Sequence, residues 1–455
     1  MGKYFGTDGV RGVANKTLTL DMAFRIGRYL GYYAKTNGKK KIVIGKDTRI
    51  SSSMFENIIA SGISASGSNA YLIGYCSTPC LAYVAQHDEF DLGIMISASH
   101  NPYYDNGIKV FSNDGIKFKE DILLKVEEYM DNPEGIDYEI EDNIGQIYSY
   151  QAEGLNEYIN WIKQIYPNNL SEFNVLIDCA NGSNSYIAYE VLTKLGCNVN
   201  AINNHPNGIN INNGCGSTHL ESIKEEIVKG KYDIGFAFDG DADRLIAVDN
   251  KGNEINGDKI LYVLAKYLKA NNLLKDNTVV VTGYSNIGLH KALEKLDIKT
   301  EVVENGDKYV LQRMLEKDYS LGGEQSGHII IKKDCNFGDG LKTGLCLLSS
   351  LKYFNCSIND ISDELKIYPQ LLVNLKVEDK NAVINSKDVI NKINEIKDKL
   401  NGNGQVLVRA SGTEPIIRVM VEAESDELCN KYVYEIVDLI KNTFKISWFY
   451  WIWII

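Results

Sequence analysis

Three carboxylates alternate with the smallest side chains in Phe238-Asp239-Gly240-Asp241-Ala242-Asp243-Arg244, the stretch of this 455-residue chain best suited to chemistry. Like charges packed this closely repel, and a divalent cation bound through oxygen offsets them. A calcium loop of the EF-hand type also alternates acidic residues, but it needs Gly at its sixth position and Glu at its twelfth. Arg244 and Asn250 stand there instead. A solvated acidic turn is the plainer reading, and it would waste the apolar run Ile234-Gly235-Phe236-Ala237-Phe238 as a mount. Mg²⁺ keeps positions open for phosphate oxygens, so the loop implies a phosphorylated partner.

The second stretch is Ile96-Ser97-Ala98-Ser99-His100-Asn101-Pro102, which follows a short apolar run at 91–96. Such a run makes a buried strand, and the Asn-Pro step stops it and forces a turn. Ser99 is then a hydroxyl held on rigid scaffold and facing open space; an ordinary turn built by Ser and Asn is the alternative. Lys109 returns on the next extended segment, where it could neutralise or deprotonate near Ser99. A serine hydrolase is disfavoured, because no G-x-S-x-G surrounds Ser99 and an extended chain would point His100 away.

Two further loops fit the same chemistry. In Leu407-Val408-Arg409-Ala410-Ser411-Gly412-Thr413-Glu414-Pro415, the Arg409 guanidinium, two hydroxyls and the Gly412 backbone can all donate to a phosphate. In Gly322-Gly323-Glu324-Gln325-Ser326-Gly327-His328, Glu324 and Ser326 can bracket vicinal sugar hydroxyls. An isolated histidine such as His328 is more often structural than a proton carrier.

These loops need mounts, and the pattern supplies them. Strands are expected at 41–45, 70–74, 174–178, 234–238 and 278–281, with helical periodicity at 20–35, 187–195 and 288–296. A polar motif follows the first strand of each set by roughly 40–60 residues: Ser99, then Asp239, then Glu324. That spacing reads as a threefold repeat of α/β units whose ligand loops lie at the carboxyl ends of strands. After about residue 365 the texture changes to alternating strands at 373–377 and 416–421, helices at 387–400 and 427–445, and a Gly-rich hairpin at 401–404. Boundaries fall near 150, 252 and 365, giving domains 1–150, 151–252, 253–365 and 366–445, plus a tail at 446–455. The tail holds three of the four Trp and is far short of the ~20 residues that span a bilayer.

Sixty acidic against 48 basic residues, a net charge of −12, argue against nucleic acid as a partner. Nine scattered cysteines without metal-type spacing read as reduced thiols, and no signal peptide is visible, so a cytoplasmic protein is expected.

With these motifs in one order, the chain resembles the α-D-phosphohexomutase superfamily, and within it the bacterial phosphoglucosamine mutase branch. The likeness runs from Tyr4 to about Glu422 and adds Gly6-Thr7-Asp8-Gly9-Val10-Arg11-Gly12 to the four loops above. Tyr103-Tyr104-Asp105-Asn106, Gln325 and Cys215-Gly216-Ser217-Thr218-His219 point to the branch. One departure is Lys308, where the branch usually carries Arg: the charge is kept and the bidentate fork is lost.

The resemblance implies three repeated α/β/α domains with mixed, mainly parallel sheets and a smaller C-terminal α+β domain around one central cleft. It implies a phosphoserine at Ser99 and Mg²⁺ joining that phosphate to Asp239, Asp241 and Asp243. Glucosamine 6-phosphate and glucosamine 1-phosphate would interconvert through a 1,6-bisphosphate, feeding UDP-N-acetylglucosamine and cell-wall precursors. Lys109, Arg244 and Arg11 would act near Ser99, while Glu324, Ser326, His328 and Lys308 would hold the sugar. Arg409, Ser411, Gly412, Thr413 and Arg418 would grip the non-reacting phosphate. A hexose 1,6-bisphosphate or an activating kinase would prime the enzyme, and monomer or homodimer stays open. A phosphoglucomutase/phosphomannomutase of the same superfamily, a phosphoserine-dependent phosphatase and a non-catalytic sugar-phosphate sensor are the rival readings.

Overall fold

The computed structural model describes the whole chain except Met1, Thr7, Pro167, Asn168, Asp334 and residues 412–414, 445–449 and 455, together with the side chains of 450–454. Two compact units divide it: Met1–Thr282 with Glu301–Ser362, and Gly283–Thr300 with Asp363–Ile455.

Three of the four sheets are built from residues 10–331. The strands of the first are Val10–Val13 (β1), Lys41–Lys46 (β2), Asn69–Tyr75 (β3), Leu92–Ile96 (β4), Asp105–Ser112 (β5) and Ile147–Ser149 (β6), in spatial order β1-β5-β4-β2-β3-β6. The second uses Asn174–Asp178 (β7), Asn198–Ile202 (β8), Ile234–Phe238 (β9), Leu245–Asp249 (β10) and Glu254–Ile255 (β11), ordered β11-β10-β9-β7-β8. The third uses Thr278–Thr282 (β12), Lys299–Val303 (β13), Leu321–Gly323 (β14) and Ile329–Ile331 (β15), ordered β13-β12-β14-β15. Every residue of β4, β9, β10, β12, β14 and β15 is buried, as expected of strands covered on both faces.

The three sheets repeat one plan. A first strand pairs in parallel with a third, and a fourth returns antiparallel beside the third: β2/β4/β5, β7/β9/β10 and β12/β14/β15. The third-to-fourth connections are the Ser99, Asp239 and Glu324 loops, so the expected repeat is a repeat of topology. Because each loop links antiparallel neighbours, it is short and pinned at both ends: Ile96 pairs with Ile108, Phe238 with Leu245, and Gly323 with Ile329.

The second unit carries the strands Gln370–Lys376 (β16), Gln405–Ala410 (β17), Ile416–Glu422 (β18) and Tyr450–Ile454 (β19) in the order β17-β18-β16-β19, all antiparallel. Alternate residues of β16 and β18, among them Val373 and Val419, pack with Val389 and Ile396 and with Val433 and Ile436 of the helices Lys387–Leu400 and Asp426–Phe444. The 401–404 segment is not a hairpin. It joins the helix Lys387–Leu400 to β17, with Asn401 and Gly402 both left-handed (φ 45° and 76°), the usual way for a helix to stop. The apolar tail has a structural place, since β19 pairs with β16 from Leu371–Ile454 to Leu375–Tyr450; its first residues, 446–449, lie outside the described residues.

Among the described residues no cysteine is in a disulfide, and of the nine only Cys356 is not fully buried. Among the described residues no helix is long and apolar enough to cross a membrane.

Candidate functional site

Ser99 follows β4 by three residues and adopts φ 52°, a left-handed conformation that costs a non-glycine residue about 1 kcal/mol or more. Its surroundings hold it there. The Ser99 N–H donates to Ser97 Oγ (2.9 Å), and Ser97 Oγ donates to Asp47 Oδ2 (2.7 Å). The Ser99 carbonyl accepts from Arg49 Nη2 (2.9 Å) and Asn212 Nδ2 (2.8 Å). The Arg49 side chain is fully buried and also holds the carbonyls of Asn101 (2.8 Å), Asp105 (3.0 Å) and Pro102, with Nε on Asp47 Oδ2 (2.8 Å). One guanidinium therefore fixes four carbonyls of the loop.

Two expectations about this loop change. The Ser99 hydroxyl does not face open space: the residue is 1% exposed, and Oγ donates to Asp239 Oδ2 at 2.6 Å across 140 positions of sequence. His100 does not point away either. The left-handed turn at Ser99 breaks the extended geometry, leaving His100 Nδ1 3.5 Å from Oγ. Burial, then the positive Arg244 and Arg11, pull His100 down to about 4, so it is uncharged at neutral pH.

The three aspartates converge, one oxygen of each lying within 4.8 Å of the others. Gly240 permits this, because a Cβ there would sit 2.5 Å from the Ser99 carbonyl oxygen. Burial and the charges of Asp243 and Asp241 push Asp239 well above the usual carboxylate range. Asp241 Oδ2 accepts from Lys109 Nζ (2.7 Å) and Thr78 Oγ1 (2.5 Å). Oδ1 of Asp241 and Oδ1 of Asp243 are buried without a hydrogen-bond partner, the latter 3.9 Å from Arg244 Nε. Orphaned carboxylate oxygens beside a carboxyl, Asp239, that resists ionisation fit a hard divalent cation.

Lys109 Nζ lies 2.7 Å from Asp241, 3.2 Å from Asp8 and 3.9 Å from Asp243. Burial would lower its pKa, but those three carboxylates outweigh it and hold the ammonium charged. Of the two expected roles, neutralising and deprotonating, this environment fits only the first. Arg11 pairs with Asp8 and reaches Asn101 Oδ1 at 3.4 Å.

The third loop joins the other two within the first unit. Residues 244 and 328 form an antiparallel bridge, and the Leu245 N–H donates to the Gly327 carbonyl (3.0 Å). His328 sits between Asp243 (3.6 Å) and Asp307 (3.9 Å); burial pulls it down, yet Asp243, Asp307 and Glu324 raise it to about 9, so it is an imidazolium at neutral pH. Glu324 Oε1 accepts from the Gly306 N–H (3.1 Å), Ser326 is exposed, and Lys308 lies over the Tyr309 ring, 4.8 Å from its centre.

In the second unit, Arg409 on β17 is directly opposite Arg418 on β18. Arg409 Nε donates to the Tyr284 hydroxyl (2.8 Å), while Arg418 Nε is buried without a hydrogen-bond partner. Like charges directly across a strand pair destabilise unless something neutralises them, and an anion does so. Ser411 is buried beside them, its carbonyl held by Lys380 Nζ (2.7 Å); Gly412 and Thr413 lie outside the described residues.

Sequence reasoning missed Arg49, Thr78, Asn212 and Asp8. Thr78 begins the helix Thr78–His87, capped by Ser77, and its N–H also donates to the Asp241 carbonyl (2.9 Å). Its Oγ1 occupies Asp241 Oδ2, which leaves Oδ1 as the oxygen of that carboxylate without a hydrogen-bond partner. Thr78→Val removes that bond at nearly constant shape. Metal affinity measured by calorimetry should fall about ten-fold or more, with the melting temperature of the apo protein little changed.

The chain matches the models of all four phosphoglucomutase/phosphomannomutase domains: α/β/α domain I over residues 2–136, α/β/α domain II over 156–252, α/β/α domain III over 256–368 and the C-terminal domain over 372–439. It is 47% identical over 446 residues to a phosphoglucosamine mutase of Lachnospira eligens, covering 97% of this chain and 99% of that one. To the phosphoglucosamine mutase of Bacillus subtilis it is 43% identical over 444 residues, with the same coverage. Among solved structures, a phosphoglucomutase/phosphomannomutase family protein of Burkholderia thailandensis superposes with TM-score 0.79 at 22% identity, covering 98% of both chains. Aspergillus fumigatus N-acetylphosphoglucosamine mutase, in complex with GlcNAc-6P and magnesium, gives TM-score 0.69 at 16% identity over 98% of this chain and 96% of that one. At those identities the structures speak for the fold alone.

Proposed function

The chain belongs to the phosphoglucomutase/phosphomannomutase family, in its phosphoglucosamine mutase branch, and from that premise we propose that Ser99 is the residue that carries and returns the phosphoryl group. The observation that supports this most is the Ser99 hydroxyl on Asp239 Oδ2 (2.6 Å), beside two carboxylate oxygens with no hydrogen-bond partner. The reaction interconverts glucosamine 6-phosphate and glucosamine 1-phosphate in the cytoplasm.

As phosphoserine, Ser99 passes its phosphoryl group to the free hydroxyl of the hexosamine phosphate: the Oγ–P bond breaks and a sugar O–P bond forms. The 1,6-bisphosphate turns over in the site, and its other phosphoryl group returns to Oγ. Asp239, Asp241, Asp243 and a phosphate oxygen on Ser99 would hold Mg²⁺. When bound, that ion supplies positive charge to the equatorial oxygens of the group in transfer.

The chain's own residues do the rest. Arg49 and Asn212 fix the Ser99 carbonyl, so the nucleophile does not reorganise between the two transfers. Asp239 Oδ2 orients the hydroxyl by accepting its hydrogen bond. Lys109, Arg244 and the His328 imidazolium balance the carboxylates and the incoming phosphate, and Arg11 does so from the Asn101 side. Glu324 and Ser326 take the ring hydroxyls, with Lys308 near the same loop. Arg409 and Arg418, with Ser411, Gly412 and Thr413, bind the phosphate that is not reacting. Escape of the bisphosphate strands Ser99 without phosphate, so a hexose 1,6-bisphosphate or a kinase must restore it.

The substrate preference is tested by kcat/KM on glucosamine, glucose and mannose phosphates. The glucosamine compound should lead by at least about ten-fold. Equal or faster turnover of glucose or mannose phosphate would move the chain to the phosphoglucomutase/phosphomannomutase reading.

A further inference from the structure

Lys342, in the first turn of the helix Gly340–Phe354, is only 1% exposed, so its amine is held deep in the first unit. Its three N–H groups meet three acceptors: the carbonyls of Ile331 (2.8 Å) and Lys333 (2.7 Å), and Cys335 Sγ at 2.9 Å. Cys335 is itself 3% exposed. Burial pushes its thiol up, and the Lys342 charge offsets only part of that rise. Neither group has a part in phosphoryl transfer. A primary amine locked against a thiol, with both other hydrogens already placed, is a pair prearranged for bond formation.

We propose that Cys335 and Lys342 are a modification site at which hydrogen peroxide drives a covalent Sγ–Nζ bond, a sulfenamide. In the first step the Cys335 thiolate attacks peroxide. An S–O bond forms, the O–O bond breaks, and the departing hydroxide takes a proton from the Lys342 ammonium to leave as water, giving the sulfenic acid and the free amine. In the second step Nζ, as the free amine, attacks Sγ. The N–S bond forms, the S–O bond breaks, and the leaving hydroxide takes one N–H proton as a second water. Thiol, amine and one peroxide thus give a sulfenamide and two waters, the sulfur losing two electrons and the peroxide gaining them. A thiol reverses the link by attacking Sγ and releasing the amine.

The consequence follows from the segment that the link would close. Asn336, Phe337 and Gly338, next in sequence to Cys335, form part of the wall of a cavity of about 310 Å³ that also touches His328 and Asp243, wide enough to hold peroxide one residue from Cys335. A Cβ on Gly338 would fall 2.4 Å from the His328 ring, and the Gly340 N–H donates to the Ala242 carbonyl in the aspartate loop (3.1 Å). The link therefore ties down the segment that backs the imidazolium.

The full-length enzyme treated with peroxide, alkylated, denatured and digested with trypsin supplies the test. The peptide holding Cys335 and Lys342 should be two hydrogens lighter and should run through Lys342 uncut, because trypsin needs the free amine. Dithiothreitol before alkylation should restore both the mass and the cleavage. A Cys335→Ala variant should be cut after Lys342 with or without peroxide. Cys335 that gains oxygen while cleavage after Lys342 persists would overturn the proposal. So would a Cys335 left unmodified at a peroxide dose that oxidises the more exposed Cys356.

Discussion

Ser99→Ala should lower kcat by at least about 10⁴-fold and leave a folded protein. Oγ donates to Asp239 and lies 3.5 Å from His100 Nδ1, while the backbone contacts of the loop run through the Ser99 N–H and carbonyl, which alanine keeps. The loss should resist rescue. Added hexose 1,6-bisphosphate should reactivate dephosphorylated wild-type enzyme and do nothing for the variant, and mass spectrometry should find one phosphate on the wild-type peptide containing residue 99 and none on the variant's. A variant keeping a tenth of wild-type turnover would place the transferred group on some other atom. A variant inert in vitro that still complements in cells would favour the sugar-phosphate sensor instead.

Metal dependence carries the second large effect. Stripping the enzyme with a chelator should remove activity, and Mg²⁺ should restore it. Asp241→Asn should cost about 10³-fold in kcat even with Mg²⁺ in excess. The wild-type triad crowds three carboxylates, two of them with an oxygen lacking a hydrogen-bond partner, so the cation should raise its melting temperature by mass action. In Asp241→Asn, one charge is gone and Lys109 keeps only Asp8 at 3.2 Å and Asp243 at 3.9 Å. Its melting temperature should respond weakly to Mg²⁺. If wild type and variant are raised equally, the ion binds somewhere other than this triad.

What could be read from the sequence is what local chemistry dictates. The aspartate loop announces itself because three like charges cannot sit together on a rigid strand end without a counterion. The threefold plan shows as apolar runs followed by polar loops at similar spacing. The positioning residues do not show. Thr78 meets Asp241 across 163 positions, Ser99 meets Asp239 across 140, and Asn212 meets Ser99 across 113. Nothing in their own neighbourhoods hints at such partners. Arg49 looks like an ordinary charged residue at the start of a helix, and only the fold reveals that it is buried under four carbonyls. The direction of His100 departs from the sequence expectation for a local reason: a left-handed serine is rare enough that an extended continuation is the natural reading. Lys109 lies on β5 beside the strand that leads to Ser99, but its protonation depends on Asp8 and Asp241, which only the fold brings there.

The left-handed backbone at residue 99 also limits which hydroxyl amino acid can serve. Threonine would supply the same nucleophilic oxygen, yet its extra methyl group crowds the peptide at φ 52° and narrows its side-chain rotamers. Ser99→Thr should lose about 1–3 kcal/mol of stability and most of its turnover, although a phosphothreonine is chemically as good a donor. At this position the choice between the two alcohols is made by main-chain stereochemistry.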